Sequence, residues 1–209
     1  MLYDPRAMEL NDVYRLLIAI VIPRPIAFVS TRSPEGRLNL APFSYFVPVS
    51  SKPAYVAITF THRPDDPKDT LRNIRETGEY VINVVSESLL GPMSQTAGEW
   101  PQGVSEFEIA GLSPRPSRVV KPPGVAESPA HLECRFEREL TLGNGTMVFG
   151  EVIAIEVDDA MYTNDRIDAM KLKSVGRLAG EFYSLMREVV KVPRAKAERH
   201  AAGTGTEDG

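Results

Sequence analysis

The tripeptide Gly143-Asn144-Gly145, set between strand-like segments at 132–142 and 146–157, constrains this chain more than any other stretch. Asn-Gly is the strongest short-range hairpin signal, because both residues accept the positive φ of a tight two-residue turn. The segments predict a long antiparallel pair, which is marginal until further strands cover it. Two more strand patterns are at hand. Residues 54–61, Ala-Tyr-Val-Ala-Ile-Thr-Phe-Thr, follow Lys52-Pro53 and read as a core strand, and residues 80–85 read as another.

A second hairpin is expected within 22–46. Ile26, Ala27, Phe28 and Val29 form an apolar run that suits a strand covered on both faces, and it ends in the hydroxyls of Ser30 and Thr31. Ser33-Pro34-Glu35-Gly36 is turn chemistry. The returning arm, residues 39–44, contains Pro42, so it reads as an edge strand or loop that leaves backbone groups unpaired. Helical spacing at Val13, Leu16, Leu17 and Ile20 predicts a packing helix over 8–21 with Asn11 available as its cap. Another helix is expected at 68–77, capped by Asp66 with Pro67 at its first position and stopped by Gly78, and a short one at 86–97. Residues 111–129 carry five prolines and read as an extended surface connection. Beyond Pro193 the chain turns charged, then rich in Gly and Thr. We therefore expect one domain over 1–190 and a disordered tail over 191–209. With about six strands and few helices, the expectation is mainly β: an antiparallel barrel with peripheral helices.

Composition excludes several functions. A net charge of -4, with basic residues scattered along the chain, argues against a nucleic-acid surface. One cysteine, Cys134, leaves no intramolecular disulfide, and a thiol inside a strand pattern reads as structural. No apolar run approaches membrane-spanning length and the N-terminus lacks signal-peptide blocks, so a cytoplasmic protein is expected. His62, His131 and His200 have no partners at metal-ligand spacing, so no metal site is expected. Neither a dinucleotide-binding glycine fingerprint nor a P-loop is present.

Three segments carry possible chemistry, and each has an ordinary structural reading beside the functional one. At 61–74 a helix start offers free N–H groups, Lys68 and a hydroxyl, which is an anion site or simply a capped, solvated helix. Residues 39–44 are either a platform for a polar heteroaromatic ring or an irregular edge with Phe43 in the core. Ser30 and Thr31 either face a ligand or satisfy the following turn. Arg177, beside two glycines, is either a ligand-facing guanidinium or a surface cap.

Taken in order, Arg24-Pro-Ile-Ala-Phe-Val-Ser-Thr, Asn39-Leu-Ala-Pro-Phe-Ser-Tyr-Phe, Pro67-Lys-Asp-Thr-Leu-Arg-Asn and Gly176-Arg-Leu resemble the flavin reductase-like family, in its flavoredoxin-type branch of FMN-binding split barrels. The similarity runs from about residue 20 to 185. It implies a split β-barrel, a homodimer with FMN near the subunit interface, and redox use of that flavin. By position, Ser30 and Thr31 would sit near the phosphate or ribityl chain, and Asn39, Ala41, Pro42, Phe43 and Ser44 would face the isoalloxazine. Thr61, His62, Arg63, Lys68 and Thr70 would complete the phosphate side, with Arg177 and Tyr183 near the flavin or the partner subunit. The implied activity is hydride transfer from NADH or NADPH to flavin N5, a step that needs no protein acid or base, so no catalytic residue is assigned. Two alternatives stay open: an FMN electron carrier serving a redox partner protein, and a non-enzymatic flavin-binding barrel.

Overall fold

The computed structural model describes residues 1–61, 68–98, 100 and 104–193. The chain opens with α1 (Leu10–Ile20), then runs through β1 (Arg24–Pro25), β2 (Ala27–Arg32), β3 (Leu38–Phe43), β4 (Phe46–Ser51) and β5 (Ala54–Thr61). Next come α2 (Asp69–Thr77), β6 (Glu79–Val84), α3 (Leu90–Thr96), α4 (Glu106–Ile109), β7 (Pro114–Arg115) and β8 (Gly124–Val125). The long hairpin is β9 (Ala130–Leu142) and β10 (Gly145–Val157). β11 (Tyr162–Thr163), β12 (Arg166–Ile167), α5 (Ala169–Leu172), β13 (Gly176–Arg177) and β14 (Tyr183–Ser184) complete the described chain.

The hairpin turns one residue earlier than Asn-Gly suggests. Leu142 pairs with Gly145, so the two central residues are Gly143 and Asn144, and of these only Gly143 has positive φ, at 56°. Glycine at the first central position with positive φ is the II′ pattern, which suits strand twist as well as I′ does.

Seven strands pair in the order β3-β2-β6-β9-β10-β5-β4, each neighbour antiparallel. The two edges, β3 and β4, are consecutive in the chain with only Ser44 and Tyr45 between them. The sheet must therefore curl until its edges approach. Thr59 N donates to Tyr45 O at 2.8 Å, and the ring of Phe43 on β3 meets Phe60 on β5 edge-on with centroids 4.6 Å apart. β2 is buried on both faces, as its apolar run requires: Ala27 and Val29 join Val56, Ile58, Tyr80 and Val148 inside the curl, while Phe28 packs with Leu40, Met93 and Phe107 under α3 and α4.

Three expectations are corrected. α1 has Glu9 at its N-cap position, with Asn11 inside the helix, and only its Ile18 is buried; of the expected packing face Val13 and Leu16 are half-buried while Leu17 and Ile20 stand exposed. α2 begins at Asp69, which puts Lys68 at the N-cap position with no side-chain cap, while Gly78 ends it at φ 72° as expected. Asp66 and Pro67 lie outside the described residues, as do 194–209 of the expected tail. Residues 111–129 are not a surface wrap, because Val120, Val125 and Ser128 are buried and Asn83, His131 and Glu133 bind the segment from beneath.

Candidate functional site

A cleft of about 610 Å³ opens where the curled edges, the end of α1 and the β13–β14 turn converge. Pro42, Phe43 and Ser44 come from the end of β3, Thr61 from the end of β5, and Lys68 from the start of α2. Arg177 and Tyr183 face each other from β13 and β14, and Tyr14, Arg15 and Ile18 from α1 form the rim. This volume lies in the roughly 300–1,000 Å³ range of small-molecule sites.

Its electrostatics set it apart from the rest of an acidic chain. Arg15, Arg24, Lys68 and Arg177 line it, and among the described residues no Asp or Glu does. Lys68 Nζ stands 5.2 Å above the centre of the Phe43 ring, and the Arg177 guanidinium lies 4.6 Å from the centre of the Tyr183 ring. Arg177 also donates to Tyr183 Oη and to Gly180 O. Across the start of α2 a second cleft of about 420 Å³ has the opposite character, with Glu35, Asp69, Glu76, Glu106 and Glu108 against Arg37 and Arg72. There Glu106 accepts the free-edge N–H of Leu40 at 3.2 Å, so the unpaired backbone expected along β3 is capped at that point by a side chain.

The residues singled out from the sequence divide into three groups. Pro42, Phe43, Ser44, Thr61, Lys68, Arg177 and Tyr183 meet in the basic cleft. Ser30, Thr31, Asn39, Ala41 and Thr70 do not line it. Ser30 is fully buried and donates to Pro123 O at 2.5 Å. Asn39 Nδ2 donates to Thr70 Oγ1 at 2.9 Å and Thr31 Oγ1 at 3.2 Å, and Asn73 Nδ2 also reaches Thr31 Oγ1 at 3.0 Å, so these side chains join β2, β3 and α2 inside the fold. Ala41 packs against the interior cluster. His62 and Arg63 lie outside the described residues. Among the described residues no group of metal-ligating side chains gathers, and no helix is long and apolar enough to cross a membrane.

Sequence reasoning missed Arg24 as a site residue. Its guanidinium is 6% exposed and reaches back to the end of α1 and across to the β13–β14 turn, a convergence that no local spacing signals.

The molecule is a curled antiparallel sheet with peripheral helices, carrying a cleft lined by basic and aromatic side chains. The family model for the flavin reductase like domain matches residues 20–171, and the chain belongs to that family. It is similar to an uncharacterised protein of Aquifex aeolicus, 39% identical over 83% of this chain and 89% of that one. It is also similar to the nitrilotriacetate monooxygenase component B of Bacillus cereus, with 35% identity, a TM-score of 0.88 and coverage of 92% of this chain and 98% of that one. A Shewanella frigidimarina protein described as a flavin reductase with a split barrel domain matches at 25% identity and a TM-score of 0.82, over 93% of this chain and 100% of that one. The fold is thus the split barrel, mainly antiparallel β with peripheral helices.

Proposed function

We propose that the basic cleft binds FMN and that the protein is a flavin oxidoreductase using NADH or NADPH. The observation that carries this is the lining itself: among the described residues, four basic side chains, no carboxylate, and aromatic surface from Phe43 and Tyr183. FMN is a flat heterocycle joined to a dianionic phosphate, and the donor set fits both parts. Lys68 at the uncapped start of α2 suits the phosphate, since a helix start and an ammonium add their fields there. Pro42 and Ser44, flanking Phe43 at the end of an edge strand, suit the ring, with backbone groups free to meet its polar edge. When bound, FMN supplies the two-electron chemistry, accepting a hydride equivalent from the nicotinamide at its ring. The protein's part is to hold the ring against Phe43, exclude water with the β13–β14 turn and keep the field positive.

A homodimer belongs to the same reading. Leu17, Ile20, Val21 and, on the free edge strand β4, Val47 and Val49 are exposed apolar side chains, and Tyr14 and Arg15 of α1 sit at the cleft rim beside them. A second copy over these faces would bury them and narrow the cleft mouth.

The test is the visible absorbance spectrum of the FMN-loaded protein, followed anaerobically on addition of NADH and then NADPH. Bleaching of the flavin bands supports the reductase. Bands that persist until dithionite is added would replace it with an electron carrier, and a protein that takes up no FMN would end the flavin reading.

A further inference from the structure

Arg24 is a buried cation whose hydrogen bonds are committed but whose charge is not. Its Nη1 donates to Ile18 O and Val21 O, both at 2.7 Å, its Nη2 to Leu178 O at 2.8 Å, and its Nε reaches Ser44 Oγ at 3.5 Å. Arg177 is similarly engaged, with Tyr183 Oη and Gly180 O. Every one of these acceptors is neutral. The carbonyls at the end of α1 bring the negative end of that helix to Arg24, which offsets at most about half a charge. Burial pushes Arg24 down from the ordinary guanidinium value, and the charge of nearby Arg177 pushes it the same way. Two guanidiniums therefore face one cleft with their donors mostly turned into the protein, and among the described residues no carboxylate lines it. Groups so placed act on a ligand less as hooks than as a fixed positive field that costs nothing to reorganise, less screened at buried Arg24 than at half-buried Arg177.

We propose that Arg24 and Arg177 are positioning residues whose combined field raises the reduction potential of the flavin held in this cleft, by binding its reduced ring more tightly than its oxidised ring. This rests on the cleft being the FMN site. The asymmetry follows from charge balance: two electrons and one proton added to the neutral oxidised ring leave it with one negative charge. A permanent positive field stabilises only the second of those states. The phosphate is dianionic in both and contributes nothing to the difference, so Lys68 at the α2 start controls affinity while the arginine pair controls potential.

The experiment is an anaerobic dithionite titration of the FMN-loaded full-length protein against a reference dye, with dithionite as the electron donor and water as the proton source. Dissociation constants for oxidised and reduced FMN are measured alongside. Arg177→Gln is expected to lower the preference for reduced over oxidised FMN about tenfold, equivalent to a drop of about 30 mV for a two-electron couple. Arg24→Gln should shift it in the same direction, and Arg177→Lys should keep most of the wild-type value. High salt should reduce the shift more in Arg177→Gln than in Arg24→Gln, since Arg177 is half-buried and Arg24 buried. If Arg24→Gln fails to fold by circular dichroism, Arg177→Gln alone decides. Gln variants that hold FMN at the wild-type potential would overturn the proposal while leaving the flavin site standing, as would equal shifts in the Gln and Lys variants, which indicate shape instead of charge. A wild-type protein that takes up no FMN would overturn both.

Discussion

The polar groups around Glu133 and those around Arg24 are both withdrawn from water, yet they are built in opposite ways. Glu133 is 2% exposed, and its carboxylate accepts three backbone N–H groups, from Arg118 and Val119 at 2.7 Å and Val120 at 3.1 Å. Beside it Asn83 donates to Phe28 O at 2.8 Å and accepts from Val125 N at 2.8 Å, and His131 Nε2 donates to Val125 O at 2.8 Å. Each buried charge or dipole there has its complement within the fold, which pins residues 117–125 to the sheet. In the cleft Arg24 and Arg177 are likewise held by neutral groups, but they open onto a space that no carboxylate lines among the described residues. A satisfied buried network specifies structure, whereas an unmatched one stores an interaction for something else. The contrast predicts that damage to the first region will be read in stability and damage to the second in binding.

The largest effect should come from Glu133→Leu. It leaves three backbone donors without their acceptor, and at ~1–3 kcal/mol for each buried unsatisfied group, partly relieved by local movement, the loss should be about 4 kcal/mol in urea unfolding. FMN affinity of the folded fraction should be unchanged. A variant with wild-type stability would mean that the 117–125 segment is not held by this carboxylate. Next is Gly150→Ala in β10. A Cβ there would lie 1.9 Å from Tyr80 Oη, and Tyr80 is fully buried, so the strand or the ring must move at a cost of about 2–3 kcal/mol. Among the described residues the buried Tyr80 hydroxyl finds no good hydrogen-bond partner, only the weakly bonding Cys134 thiol opposite it in the register. Tyr80→Phe should therefore be neutral or stabilising by up to about 1 kcal/mol, and in the double variant it should recover part of the Gly150→Ala loss. Additive effects in thermal melts would sink this account of the clash.

Local chemistry makes the hairpins legible, whereas alternation does not separate the cleft residues from the rest of 39–44. The strands around residues 26–31 and 54–61, the Pro42 edge and the Gly78 stop all depend on near neighbours in the sequence. Successive side chains on a strand point to opposite faces, yet Pro42, Phe43 and Ser44 all line the cleft because the strand ends there. Asn39, Ala41 and Phe43 share the inner face, where Asn39 meets Thr31 and Thr70 deep in the fold and Phe43 reaches the cleft. The role of Arg24 was not legible at all, since its partner Leu178 lies 154 residues away along the chain. The exposed positions of α1, Leu17 and Ile20, show why periodicity alone does not predict packing: it reports an apolar stripe without saying what covers it.

In the cleft, Lys68→Ala is expected to raise the dissociation constant of FMN about tenfold at low ionic strength, roughly 1.4 kcal/mol. The difference should narrow as salt screens the ammonium–phosphate attraction. Unchanged flavin retention on gel filtration would remove Lys68 from the phosphate site and weaken the division between affinity at α2 and potential at the arginine pair.

The smallest effect tests whether the acidic second cleft belongs to the satisfied or the unmatched kind. Burial pushes the Glu106 carboxyl above the ordinary carboxylate value, with the charge of Asp69 adding to it, against the hydrogen bond from Leu40 that favours ionisation. A raised value in the folded state means that folding binds a proton more readily there. The stabilising contribution is present below the unfolded value of ~4.3 and is lost as pH rises through the folded one, so at pH 7 the ionised carboxylate is a net cost. Glu106→Gln keeps an oxygen for Leu40 N–H and removes that cost. It should raise stability at pH 7 by at most about half a kcal/mol, since the group is partly solvated and screened, and the gain should vanish below about pH 4. A loss of stability at pH 7 would show that the charge-assisted bond to β3 outweighs desolvation, placing Glu106 with Glu133 among groups that fasten the fold. A gain confined to neutral pH would place it with Arg24, as a charge the fold tolerates without matching.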